Sequence, residues 1–264
     1  MENNSKMNLP DVQSSHDQRN IAITRVGIRD VTLPITVKSR NGVQPTIAKL
    51  TMTVALPADQ KGTHMSRFIA LIEEYEGTFD RAAIHDLMDK MLEQLGATSG
   101  TIEMRFPFFV KKTAPVSGFT SLMNYEAAWI ANTENGTTEV RQETITPVTS
   151  LCPCSKEISK YGAHNQRSHL TSSLILKSDM SLEDQISISE NSASCQLWAR
   201  LKRADEKYVT EYAYEHPKFV EDIIRDMAKA LNADDRVLAY RVQAENFESI
   251  HNHSAFGWIE HDKR

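Results

Sequence analysis

In TIAKLTMTVAL, residues 46 to 56, apolar side chains recur at every second position: Ala48, Leu50, Met52, Val54 and Leu56. Only an extended strand with one buried face has that period. The same alternation at 31–37 sets Val31, Leu33, Ile35 and Val37 against Thr32, Pro34 and Thr36. Asn41-Gly42 stands between the two runs, where a tight hairpin turn favours such a pair. A chain that opens this way must build a sheet with one face in need of cover.

The cover comes next in the sequence. Met65, Phe68, Ile69, Ile72 and Tyr75 share one helical face. A second helix opens at Asp80, carries Leu87, Met88, Met91, Leu92 and Leu95 inward, and stops at Gly96. Two strands follow, one through Ile102, Met104, Phe106, Phe108 and Val110 and one at 119–131, which makes the first half β-β-α-α-β-β. The second half repeats that order less regularly, with strands at 137–148 and 168–177, helices at 181–203 and 216–231, and strands at 237–245 and 255–260. Phe219, Val220, Ile223, Ile224, Met227, Ala228 and Leu231 stripe the helix at 216–231, and Pro217 suits its first turn. The expectation is an α+β chain: a polar arm at 1–20, then two tandem modules at 21–135 and 136–264. The alternative is one undivided α+β domain. A four-stranded antiparallel sheet covered on one face keeps two free edges, so the modules are expected to pair with other copies and close into a barrel.

Composition narrows the partners. Of 264 residues 25% are charged, the formal charge is -5, and no window clusters Lys and Arg as a nucleic-acid backbone requires. No apolar run is long enough to span a membrane, and the first twenty residues lack a signal-peptide core. Three cysteines point to a reducing cytoplasm rather than a disulfide framework.

The chemistry concentrates in SLCPCSKEISKYGAHNQRSH, residues 150–169. Thiolate and imidazole suit zinc and similar ions, and a catalytic site needs three protein ligands and an open position. Cys152 or Cys154 with His164 would supply two, and Glu206 or Glu248 the third. The spacing is not that of a structural zinc knuckle, and two incidental thiols are the plain alternative. Cys195 is expected in a helix among core residues, His216 at a helix start, His251 and His253 in a loop between strands, and Glu221 as a solvated flank of its helix.

The stretches TPVTSLCPCSKEISKYGAHNQRSH, LKRADEKYVTEYAYEHPKFVED and AENFESIHNHSAF, with LPDVQSSHDQRNIAITRVGI and KGTHMSRF, together resemble the GTP cyclohydrolase IB family along nearly the whole chain. The resemblance implies the tunnelling fold, two β-β-α-α-β-β modules per chain, and a homotetramer. It implies conversion of GTP and water to 7,8-dihydroneopterin triphosphate and formate, the first step toward folate. It implies one divalent metal, manganese, zinc or iron, held by Cys152, His164 and Glu206. Cys154 would exchange with Cys152 or move protons, His251 would act as acid with Glu248 as its partner, and Glu221 would grip the guanine edge. Lys61, His64 and Arg67 are candidates for the triphosphate. Two other readings stay open here: a tunnelling-fold nitrile reductase with a cysteine nucleophile, and a metal-binding scaffold without turnover.

Overall fold

A computed structural model of the chain describes residues 10–264. Residues 1–9, the first part of the expected arm, lie outside the described residues. β1 (Ile23–Ser39) and β2 (Gly42–Leu56) form the opening hairpin, longer than the alternation alone marked. α1 (Met65–Glu73) and α2 (Arg81–Leu95) follow, then β3 (Gly100–Thr113) and β4 (Thr120–Glu134). The signals that bound α2 act as their chemistry requires. Asp80 Oδ1 accepts from Ala83 N–H at 2.9 Å, and Gly96 ends the helix at φ +61°, where a side chain would be strained.

The second half runs β5 (Thr137–Leu151), α3 (Pro153–Ile158), β6 (Asn165–Leu176), α4 (Leu182–Ser192), β7 (Cys195–Gln196), α5 (Arg203–Glu215), α6 (Val220–Ala233), β8 (Val237–Asn246) and β9 (Ala255–Asp262). The strands form one continuous antiparallel sheet, ordered β1-β2-β3-β4-β5-β6-β8-β9, with β7 paired to β5. The halves join through the β4–β5 hairpin. Its turn residues Asn135 and Gly136 have φ of +51° and +75°, both in the left-handed region that a two-residue hairpin favours. The boundary expected between 135 and 136 falls inside that turn.

One face of the sheet is packed. Leu50, Met52, Ile102, Met104 and Trp129 meet Phe68, Leu87 and Met91 in one cluster. Leu170, Leu174 and Val242 meet Ile223, Met227 and Leu231 in the other. Each such side chain taken fully from water contributes roughly 1.5 to 3 kcal/mol.

Four expectations are corrected. The helix expected across 181–203 ends at Ser192, and Cys195 lies in a strand, not a helix. The reason is an open edge: β4 stops pairing with β5 at Glu126–Ile145, and Cys195–Gln196 pair with Val148 and Thr149 beyond it. A separate α5 follows, and His216 caps its C-terminus through N–H donation to Tyr212 O at 3.1 Å, rather than starting the next helix. α6 then begins at Val220, after Pro217 rather than around it.

The N-terminus of α5 is fastened by one buried carboxylate. Asp205 Oδ1 accepts from Val116 N–H (2.9 Å) and Ser117 N–H (2.8 Å), and Oδ2 from Ser117 Oγ–H (2.6 Å) and Lys202 N–H (2.8 Å). Burial alone would raise its pKa, but the donors outweigh burial and hold it well below the ordinary carboxylate value. A depressed folded pKa gives stability that is present above the unfolded value, about 3.9, and is lost as pH falls toward the folded one. Asp205→Asn is therefore expected to lower Tm at pH 7, with the gap to the parent chain narrowing below about pH 4 in thermal melts.

Strand register also fixes which loops share an end of the sheet. Val54 pairs with Gly100, Gly100 with Thr133 and Thr133 with Thr138, so the end of β2 adjoins the start of β5. From there β5 runs 15 residues, about 50 Å at ~3.3 Å per residue, to Leu151. The β2–α1 connection and the segment after β5 therefore lie at opposite ends.

Candidate active site

The Cys-Pro-Cys segment starts a helix. Cys152 is the N-cap of α3, Pro153 occupies the first turn, and Cys152 Sγ accepts from Ser155 N–H at 3.4 Å. Cys152 N–H donates to His164 O (3.1 Å), Ser155 Oγ–H to Cys152 O (3.2 Å), and His164 N–H to Ser155 Oγ (3.2 Å). These bonds fold the thirteen-residue connection 152–164 so that the thiol and the imidazole issue from adjoining backbone. Cys154 is exposed on the same helix.

A line of hydrogen bonds sets the His164 ring. Ser168 Oγ–H donates to Asn246 Oδ1 (2.8 Å), so Ser150 must supply the proton in its 2.7 Å bond to Ser168. Ser150 Oγ then accepts from Gln166 Nε2 (2.8 Å), which turns Gln166 Oε1 toward His164 Nδ1 at 3.0 Å. A carbonyl oxygen only accepts, so Nδ1 carries the hydrogen and Nε2 keeps a free lone pair. An imidazole pinned through one nitrogen with the other bare is what a metal-binding histidine presents.

The loop between β8 and β9 completes the group. The Glu248 side chain is 12% exposed, with Oε2 3.4 Å from His251 Nδ1 and 4.0 Å from His164 Nδ1. Ser249 Oγ lies 3.3 Å from the same His164 nitrogen. His251 stacks on His253, ring centroids 5.2 Å apart, and meets the His164 ring edge-on at 6.5 Å. Facing a carboxylate, His251 Nδ1 is the protonated nitrogen, and Nε2 is left to exchange protons at the exposed side.

The other expected residues fall into two groups. Glu206 lies exposed in the first turn of α5, which crosses the Cys152 end of the sheet from Ser117, bonded to Asp205, to Lys156, whose Nζ donates to Tyr214 O at 2.5 Å. Glu221 is exposed in the first turn of α6, where Lys218 N–H donates to Leu151 O at 3.0 Å. Both stand at the end that carries Cys152, Cys154, His164, Glu248 and His251. Among the described residues, however, no three His, Cys, Asp or Glu side chains are drawn together as a metal-holding group. Lys61, His64 and Arg67 lie at the opposite end. Lys61 N–H donates to Ser15 O (3.1 Å), His64 Nε2 is 3.3 Å from Asp11 Oδ2, and Arg67 Nη1 donates to Gln94 O (2.9 Å). Cys195 is a core thiol, 2% exposed, that burial pushes up to about 11.

The sequence reading missed Gln166, Ser150, Ser168 and Asn246, which orient His164. Their signal was the placing of polar residues at inward positions: Gln166 and Ser168 precede Leu170 at the same two-residue period.

The sheet and its helices are those of the tunnelling fold. A hyperthermostable urate oxidase variant from Bacillus sp. TB-90 superposes with a TM-score of 0.54 at 11% identity, over 91% of this chain and 99% of that one. Sequence narrows the class. A family model described as type I GTP cyclohydrolase folE2 matches residues 9–257. GTP cyclohydrolase FolE2 2 of Cupriavidus metallidurans is 57% identical over 97% of this chain and 96% of its own. GTP cyclohydrolase FolE2 of Herminiimonas arsenicoxydans is 58% identical over 97% and 98%. The chain belongs to the folE2 family of type I GTP cyclohydrolases. Membership sets aside the nitrile reductase.

Proposed function

We propose that the chain is a metal-dependent cyclohydrolase that converts GTP and water to 7,8-dihydroneopterin triphosphate and formate, at the head of folate biosynthesis in the cytoplasm. The observation that carries this reading is the anchored His164 beside Cys152, with Glu248 and His251 closing over it.

The donor set fits a divalent ion. Cys152 Sγ, His164 Nε2 and the Glu206 carboxylate are the groups that would hold it, with Glu206 brought in from α5, and a thiolate–imidazole–carboxylate set accepts zinc, manganese or iron. When bound, such an ion would supply a lowered pKa for its water, from about 15.7 toward about 7, so that hydroxide would be available at neutral pH for addition at C8 of the purine. His251 Nε2 delivers a proton to the nitrogen that departs as the ring opens, while Glu248 holds its Nδ1–H and balances the charge. Cys154, exposed two residues beyond Cys152, is a second proton carrier at the same mouth.

Glu221 accepts from N1–H and the 2-amino group of guanine, two donors that one carboxylate takes together. Lys61, His64 and Arg67 meet the triphosphate from a second copy, because the strand register puts them about 50 Å away within one chain. Supporting that assembly, no strand among the described residues pairs with the outer side of β1 or β9, where β1 is bonded only by Phe79 at Thr36–Lys38, and Phe256 and Trp258 on β9 are 66% and 50% exposed. The two modules, 21–135 and 136–264, pair edge to edge into a barrel, and the particle is a homotetramer.

The test is incubation with GTP and Mn2+, reading formate and pterin fluorescence. Turnover is expected, and a metal-loaded protein that releases no formate would be the scaffold instead. Glu221→Gln should retain metal and raise KM about 10- to 100-fold, the cost of one charged hydrogen bond at roughly 1.5 to 3 kcal/mol. An unchanged KM removes Glu221 from the site.

A further inference from the structure

Where β4 leaves β5, the gap between the two halves of the chain holds a cavity of about 370 Å³. It opens on the β4 side of β5, away from the β6 side that carries His164, and none of the residues assigned to the cyclohydrolase site lines it. Its floor is a buried ion pair: Lys112 Nζ donates to Glu190 Oε1 at 2.6 Å, with the two side chains only 8% and 9% exposed. Tyr125 Oη–H donates to the same oxygen at 2.6 Å. That oxygen is saturated. Glu190 lines the cavity, and its Oε2 accepts no hydrogen bond among the described residues. Lys112 also keeps N–H donors beyond its single bond, and burial draws its pKa down although Glu190 opposes this.

The walls are aromatic. The Trp198 indole is fixed by Nε1–H donation to Thr113 O at 2.9 Å and lies 4.7 Å from Lys112 Nζ. Tyr208 and Tyr212 stack 5.7 Å apart along α5. A buried ion pair is seldom kept for stability alone, since apolar residues of similar volume hold a fold as well or better. Here a free carboxylate oxygen that accepts and a neighbouring ammonium that donates sit side by side under aromatic walls. The pair is neutral overall, which disfavours a bare anion. A flat ring with an N–H and a C=O on adjacent positions meets every group at once.

We propose that this seam cavity is a second ligand site, which binds a planar heterocycle with an amide edge, the class that includes pterins and guanine. The ring N–H donates to Glu190 Oε2, the ring carbonyl accepts from Lys112 Nζ, and Trp198, Tyr208 and Tyr212 enclose the faces. The choice of a pterin as its natural occupant rests on the cyclohydrolase reading, whereas the ring class follows from the cavity itself.

Equilibrium dialysis of the full-length protein against neopterin tests it. Binding is expected to persist in Glu221→Ala, which lacks the other base-binding carboxylate. It should weaken about tenfold in Tyr212→Ala, whose side chain is 38% exposed and so dispensable for folding. Glu190→Gln should weaken it tenfold or more. No neopterin bound by the parent chain, or binding lost in Glu221→Ala and untouched in Tyr212→Ala, overturns the site. Formate release from GTP is measured on the same preparations. Its absence alongside intact neopterin binding would defeat the cyclohydrolase reading and leave the seam site standing.

Discussion

Replacing His164 with alanine is expected to remove the bound divalent ion and formate release together. The imidazole has no packing duty large enough to unfold the chain, since its ring is held by polar partners at the rim of the sheet and its side chain is 13% exposed. Its loss would take away one of the three proposed donors, and a mixed thiolate–imidazole–carboxylate site is not expected to keep a divalent ion on two. Turnover should fall to the level of metal-free protein while thermal melts stay near those of the parent. Gln166→Leu supplies the graded control. It leaves Nε2 in place but frees the ring to rotate and change tautomer, and loss of such an orienting partner costs about 10- to 100-fold in metal affinity or activity. Elemental analysis of His164→Ala that finds full metal content would remove His164 from the ligand set.

His251→Ala should behave in the opposite way, with metal content near normal and formate release reduced by about 100- to 10,000-fold, the range for a positioned general acid. The side chain is 52% exposed and its one polar partner is Glu248, so folding is not at stake. Exogenous imidazole should restore part of the rate. Metal loss from His251→Ala would make it a ligand and exchange its role with that of Glu206.

Much of the architecture could be read before any coordinates. The two-residue period of Ala48, Leu50, Met52 and Val54, the cap at Asp80 and the stop at Gly96 each rest on local chemistry, and each reappears in the folded chain. What failed depended on distant partners. Residues 181–203 look like one helix until β4 leaves β5, and the bare edge at Val148–Thr149 recruits Cys195–Gln196. The fusion of both halves into one sheet was legible in Asn135-Gly136, a hairpin signal that the modular reading treated as a boundary. At the site, residue types and loop positions pointed to Cys152, His164, Glu248 and His251. The network that decides which His164 nitrogen is bare runs through Ser150, Gln166, Ser168 and Asn246, which come from three strands and share no motif.

The span of β5 has a further consequence. A plank about 50 Å long carries the thiol and imidazole at one tip and Lys61, His64 and Arg67 at the other. If a second copy completes each site as proposed, two chains crippled at opposite tips are expected to rescue each other when mixed, since some junctions in the hybrid particle would unite the intact halves. On that proposal catalysis is a property of encounter, and dilution that separates the copies is expected to lower turnover without unfolding the chain.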